Sequence, residues 1–133
     1  MKSIINDALA INGMIEREQL PVRVFLRNHA AFFADMDRHS LIPPERRNHD
    51  HYSESVYVFV IGSYLYQRIE HQPVTWFERR RFAEFKRYGE LFSRTLCSNP
   101  NRRFQRICEL KQYLTRMMEY ENTASERNSS SSE

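Results

Sequence analysis

Basic residues are concentrated in one stretch of this chain, and their chemistry suits the recognition of phosphate or carboxylate groups. Residues 74–108 contain nine basic residues and only three acidic ones. Guanidinium groups bind such oxygens through paired hydrogen bonds, and aromatic rings placed among them can stack on nucleic-acid bases. Trp76 and Tyr88 are the candidate stacking rings. The candidate anion-binding residues are Arg79, Arg80, Arg81, Lys86, Arg87, Arg94, Arg102, Arg103 and Arg106.

An ordinary amphipathic helix would explain part of the same pattern. Glu78, Glu84 and Glu90 can serve as local partners of the arginines on a solvated helix face. The two interpretations predict different surfaces. Nucleic-acid binding requires one uninterrupted cationic face, whereas pairwise neutralisation by the glutamates would leave little positive charge for a ligand.

The start of the last predicted helix is the sharpest local anomaly. Asn99 and Pro100 are suited to cap and begin this helix, and Arg102, Arg103 and Arg106 follow at once. Positive charge is unfavourable at a helix N-terminus unless an anion or a carboxylate neutralises it. The pattern therefore predicts a bound anion there, or salt bridges to an acidic loop. A helix–turn–helix that enters the major groove of DNA is a further alternative.

A second group of chemically active side chains surrounds the Pro43-Pro44 pair. It combines histidine and carboxylate, the residue types that bind zinc or non-haem iron. Its members are Asp35, Asp37, His39, His49, Asp50 and His51. No HExxH or other compact ligand motif is present, and an exposed loop commonly has this composition. His39, His49 and His51 are therefore weak metal candidates, and we expect no metal and no other cofactor.

Catalytic motifs are not recognisable in the sequence. The three glycines stand far apart, so they form no phosphate-binding loop, and no GxSxG motif occurs. The two cysteines lack metal-type spacing. We therefore expect a protein that is not an enzyme.

The elements that must position the arginines are predicted to be helices. Apolar periodicity and prolines predict a helix ending before Pro21, a second helix over 22–36, one from Thr75 to about Leu96 and a last one from Pro100 to about 121. Residues 54–69 are ambiguous. Their β-branched and aromatic residues are compatible with a β-hairpin turning at 62–63, but a buried central helix fits better. The predicted fold is all-α, an irregular bundle of about five helices.

Length and composition set the remaining expectations. The chain has 133 residues, of which 41% are hydrophobic, enough for one helical domain over 1–121. Residues 122–133 are predicted to form a disordered Ser-rich tail. The N-terminus does not resemble an export signal, and the longest apolar stretch is too short to cross a bilayer. We therefore expect a cytoplasmic protein that does not bind membranes.

The sequence favours binding over catalysis. Our first expectation is a regulatory protein that engages nucleic acid through the arginines of residues 74–108. The alternative is a protein–protein adaptor or chaperone, in which the arginine and aromatic surface meets an acidic protein partner. A homodimer formed through surplus aromatic surface is compatible with both.

Overall fold

The computed structural model describes residues 2–43, 52–72, 74 and 88–131, and of residues 2, 3, 39 and 121–131 it describes the backbone alone. Within these ranges the chain contains helices and no strand, so the prediction of an all-α fold is confirmed. Two short 3-10 turns lie at Ala30–Phe33 and Pro100–Arg102. The α-helices are α1 (Lys2–Glu18), α2 (Val22–Asn28), α3 (Arg38–Leu41), α4 (Glu54–Glu70), α5 (Gly89–Thr95) and α6 (Ile107–Ser131).

Helix α4 is the centre of the bundle, and the hairpin alternative for this segment is wrong. Every residue from Val56 to Tyr66 is buried. Helices α1, α3, α5 and α6 all pack against α4. A helix that is surrounded on all sides has no solvent face, so its sequence is apolar throughout and lacks a clear helical stripe. This explains why its residue types resemble those of a buried strand.

The close approach of α5 to α4 depends on Gly62. A methyl group added at Gly62 would lie 2.5 Å from Cβ of Thr95, far inside van der Waals contact. The Thr95 side chain is itself buried, and its hydroxyl donates to the Leu91 carbonyl at 2.9 Å. The two helices therefore meet at a point where only glycine fits.

Helices α1 and α6 pack against each other and cover one side of α4. Ile11 and Ile15 of α1 are fully buried, as are Leu110 and Leu114 of α6. Within this contact the buried Asn12 amide donates to the Ile107 carbonyl at 3.0 Å. This bond fixes the first turn of α6 against the middle of α1, and so it also fixes the loop that leads into α6.

The predicted helix over 22–36 is instead interrupted at His29. Helix α2 ends at Asn28, and the chain then forms the 3-10 turn Ala30–Phe33. The His29 ring lies 2.9 Å from both carboxylate oxygens of Glu18, at the end of α1. This contact joins the interruption to the end of α1, a long-range interaction that helical periodicity cannot reveal.

The last helix also differs from the prediction. It begins at Ile107, because Pro100–Arg102 form a separate 3-10 turn whose Asn99 cap accepts from the Asn101 amide at 3.0 Å. Its backbone continues to Ser131, into the segment predicted to be a disordered tail. Serine and asparagine are weak helix formers, so disorder of the tail remains a prediction that a truncation can test.

The helix predicted from Thr75 to about Leu96 is described only in part. Its described part is α5, and residues 75–87 lie outside the described residues.

Candidate anion-binding surface

About half of the predicted anion-binding residues fall within the described chain. Arg94 belongs to α5, Arg102 closes the 3-10 turn, and Arg103 and Arg106 lie in the loop before α6. Arg94, Arg102 and Arg106 are exposed, whereas Arg103 is buried. Outside the described residues lie Trp76, Arg79, Arg80, Arg81, Lys86 and Arg87.

Arg103 is a structural residue, which corrects its assignment to the anion-binding set. Only 3% of its surface is exposed. Its Nε donates to the Cys97 carbonyl at 2.7 Å, and its terminal nitrogens lie 3.4 and 3.5 Å from the carbonyls of Ser55 and Ser98. The guanidinium also lies 4.9 Å from the centre of the Phe59 ring. Because these groups belong to α4 and to the chain after α5, Arg103 holds residues 97–103 against the central helix.

Arg94 packs on an aromatic ring of the loop before α6. Its guanidinium lies 4.0 Å above the Phe104 ring, and its carbonyl accepts from the Phe104 amide at 2.9 Å. Burial raises the pKa of Tyr113, the charge and hydrogen bond of Glu90 raise it further, and Arg94 lowers it. Glu90 therefore lies close to Tyr113. Glu90 and Arg94 are four residues apart on α5 and so share one helix face, the spacing that the amphipathic interpretation requires.

Two carboxylates of this chain accept hydrogen bonds from backbone amides at the N-terminus of α6. Oε1 of Glu109 accepts from the backbone amides of Gln105 and Arg106 at 3.1 and 3.0 Å. Oε1 of Glu54 lies 3.3 Å from the Ile107 amide. The sequence predicted that an anion or a carboxylate would be needed here, and two glutamates meet that need. The helix N-terminus is therefore not an open anion site.

Two further predictions do not fit the geometry. Helices α5 and α6 are separated by residues 96–106, far more than the three or four residues that join the helices of a DNA-binding helix–turn–helix. Tyr88, a candidate stacking ring, is only 6% exposed and stacks on Phe92 with ring centres 6.3 Å apart. The face of the Tyr88 ring is therefore covered by Phe92 in the core and is not accessible to a nucleic-acid base.

The candidate metal residues are only partly described. His49, Asp50 and His51 lie outside the described residues, and of His39 only the backbone, in α3, is described. Asp35 and Asp37 line a cleft together with Arg68 and His71. Within the described part of the chain no group of three or more His, Cys, Asp or Glu side chains is arranged to hold a metal ion.

A second cationic feature, which was not predicted from the sequence, is a groove beside α2 and α3. Its lining includes Arg23, Arg27 and Arg38, all exposed. Arg23 and Arg27 are four residues apart and so share one face of a helix, a spacing that was visible in the sequence. The proximity of Arg38 to these two arginines was not visible in the sequence, because it depends on how the chain folds between α2 and α3.

Comparison of the chain with protein-family models, curated proteins and solved structures finds no significant match. Among the described helices, none combines the length and apolar composition required to cross a membrane.

Proposed function

We propose that this protein is a non-enzymatic regulatory protein that binds nucleic acid through the exposed arginines of residues 74–108. The observation that supports this most is the different treatment of adjacent arginines before α6. Arg103 is buried in carbonyl contacts, whereas Arg102 and Arg106 on either side of it are exposed. The buried guanidinium of Arg103 stabilises the loop, and the charged side chains of Arg102 and Arg106 are accessible from solvent.

A prearranged loop favours phosphate binding because less conformational entropy is lost when the ligand binds. Besides Arg103, the Gln105 side chain donates to the carbonyls of Pro100 and Arg103 at 3.0 and 2.8 Å. Together with the Glu109 carboxylate, these bonds hold the loop at several points. Arg102 and Arg106 therefore emerge from a fixed backbone.

The alternative partner is an acidic protein, since carboxylates and phosphates bind arginine through the same paired hydrogen bonds. Repeated phosphates favour nucleic acid, because this segment contains eight basic residues besides the buried Arg103 and they can contact several phosphates in succession. We also propose that the protein acts in the cytoplasm, where RNA would be accessible to it.

The test is fluorescence anisotropy with labelled duplex DNA and single-stranded RNA across a salt series. The protein would be compared with the Arg102→Ala/Arg106→Ala variant, which spares the buried Arg103. Each phosphate contact contributes about −0.9 to the slope of log K against log salt for duplex DNA, and about −0.7 for a single strand. We expect weaker binding and a slope shallower by about one to two for the double variant.

The matched control is Arg17→Ala/Arg116→Ala, which removes the same charge from exposed positions on α1 and α6. This control should retain the wild-type salt slope. Equal losses in both variants would mean that net charge alone matters and that the loop is not the site. An absence of binding at low salt would remove nucleic acid as the partner and leave an acidic protein.

A further inference from the structure

We infer that the groove between α2 and α3 is a docking site for an acidic, amphipathic helical segment of a partner protein. The groove has a volume of about 550 Å³. It lies in the first half of the chain, whereas the proposed nucleic-acid surface lies in the second half. The inference therefore does not depend on the proposed function.

The groove is lined by arginines and by apolar side chains. One wall is a stripe of α2 formed by Arg23, Leu26 and Arg27, and Ala30 extends it into the following 3-10 turn. Arg23, Leu26 and Arg27 stand at positions i, i+3 and i+4 and so share one face of α2 over about one helical turn, or roughly 6 Å. A partner helix that lies alongside α2 would face this edge.

Helix α3 and the residue after it complete the lining of the groove. Arg38 of α3 is exposed, and Ile42 is partly buried. Phe33 and Leu41 are only 2% and 1% exposed, so they form the deepest part. An apolar bottom lies between cationic edges, an arrangement suited to a segment with aliphatic residues on one face and carboxylates beside them.

Charge complementarity selects an acidic occupant. Three arginines and no carboxylate occur among the described residues that line the groove. Asp35 and Asp37, the nearest carboxylates along the chain before Arg38, line a different cleft with Arg68. Arg27 and Arg38 can each form paired hydrogen bonds with a partner carboxylate.

The shape and the side-chain types favour a protein segment over other anions. The partly exposed apolar side chains, Leu26, Ala30 and Ile42, are aliphatic, so they suit leucine or isoleucine better than stacked bases. A membrane-binding surface inserts a protruding apolar face into the lipid, whereas this surface is concave. A partner helix that lays its apolar face into a hydrophobic groove fits both features.

The experiment is selection from a phage-displayed library of random peptides of about 16 residues on the full-length protein. Enriched peptides are then synthesised with a fluorescent label, and their affinities are measured by anisotropy. We expect enriched peptides to place leucine or isoleucine at helical spacing with glutamate or aspartate beside them. Replacing their acidic residues by glutamine or asparagine should weaken binding by about tenfold or more.

The protein variants locate the site. Arg27→Glu/Arg38→Glu should lower the affinity for the acidic peptides by about tenfold or more, and peptides with lysine in place of the acidic residues should regain binding to this variant. Arg17→Glu/Arg116→Glu makes the same charge change elsewhere and should leave peptide binding intact. Circular dichroism checks that each variant is folded, and Arg27→Ala/Arg38→Ala serves if the reversal unfolds the protein. Failure to enrich acidic amphipathic peptides, or equal binding to the groove variant and the wild type, would overturn the inference.

Discussion

Replacement of Arg103 should destabilise the protein far more than replacement of its neighbour Arg102. The hydrogen bond from Nε to the Cys97 carbonyl is short, at 2.7 Å. A hydrogen bond to a charged group contributes about 1.5–3 kcal/mol to stability. The contact with the Phe59 ring adds about 0.5–2 kcal/mol. The contacts at 3.4 and 3.5 Å to Ser55 and Ser98 are long and add little.

The expected loss for Arg103→Ala is therefore about 2–5 kcal/mol in the free energy of unfolding. This is a large part of the roughly 5–15 kcal/mol that stabilises a typical domain. Urea denaturation followed by circular dichroism would measure this loss.

The free energy of unfolding of Arg103→Lys should fall between those of Arg103→Ala and the wild type, because an ammonium group keeps the charge but lacks the planar array of donors. Arg102→Ala should change stability by less than about 0.5 kcal/mol, since Arg102 is exposed. Equal, small effects of Arg102→Ala and Arg103→Ala would refute the structural role.

Three further predictions concern the core and the tail. Gly62→Ala should lower the free energy of unfolding by about 1–3 kcal/mol, because the added methyl group collides with Thr95. Gly13→Ala is the control and should be neutral or stabilising, because its methyl group meets only the tip of the Arg17 side chain at 3.3 Å. Equal effects of the two variants in urea denaturation would contradict the close packing of α4 and α5. Burial, followed by nearby negative charge, raises the pKa of Tyr57 above the usual 10.0, so the stability it provides is present below about pH 10 and declines as the pH rises further. Urea denaturation at about pH 8 and pH 11 should therefore show a smaller alkaline loss in Tyr57→Phe, and an unchanged loss would contradict this. Deletion of 122–133 should alter the free energy of unfolding by less than about 0.5 kcal/mol, and a loss above about 1 kcal/mol would show that the tail is packed.

Composition and periodicity were sufficient to predict the helical class and the central helix. Scarce glycine and the prolines near the ends of segments favour helices joined by short connections. Residues 54–69 also illustrate the limit of periodicity. Val56, Phe59, Val60 and Ser63 lie at helical spacing, but the positions between them are also apolar, because this part of the helix is buried on all sides. The poor support that a helical protein gives to an isolated hairpin is therefore a second reason to predict a helix here.

The roles of individual arginines could not be predicted from the sequence. Arg102 and Arg103 are adjacent and identical in type, yet one is exposed and the other is 3% exposed. Arg103 differs in its contacts with the nearby carbonyls of Cys97 and Ser98 and with Ser55 and Phe59. Ser55 and Phe59 belong to α4, which is distant along the chain, so periodicity could not reveal this contact. The start of α6 was misplaced for a similar reason. Glu54 and Glu109 stabilise the amides near Ile107, and the contribution of Glu54 depends on the folding of α4 against this loop.

The most direct test of the proposed function observes the arginine side chains themselves. Nitrogen-15 NMR spectra of the arginine Nε–H groups would be recorded while unlabelled RNA, and separately duplex DNA, is added. We predict that the signals of Arg102 and Arg106 shift or broaden with added nucleic acid, while that of Arg103, bonded to the Cys97 carbonyl, remains in place. Shifts confined to Arg23, Arg27 and Arg38, or no shift at Arg102 and Arg106 at low salt, would contradict the proposal that the loop before α6 contacts nucleic acid.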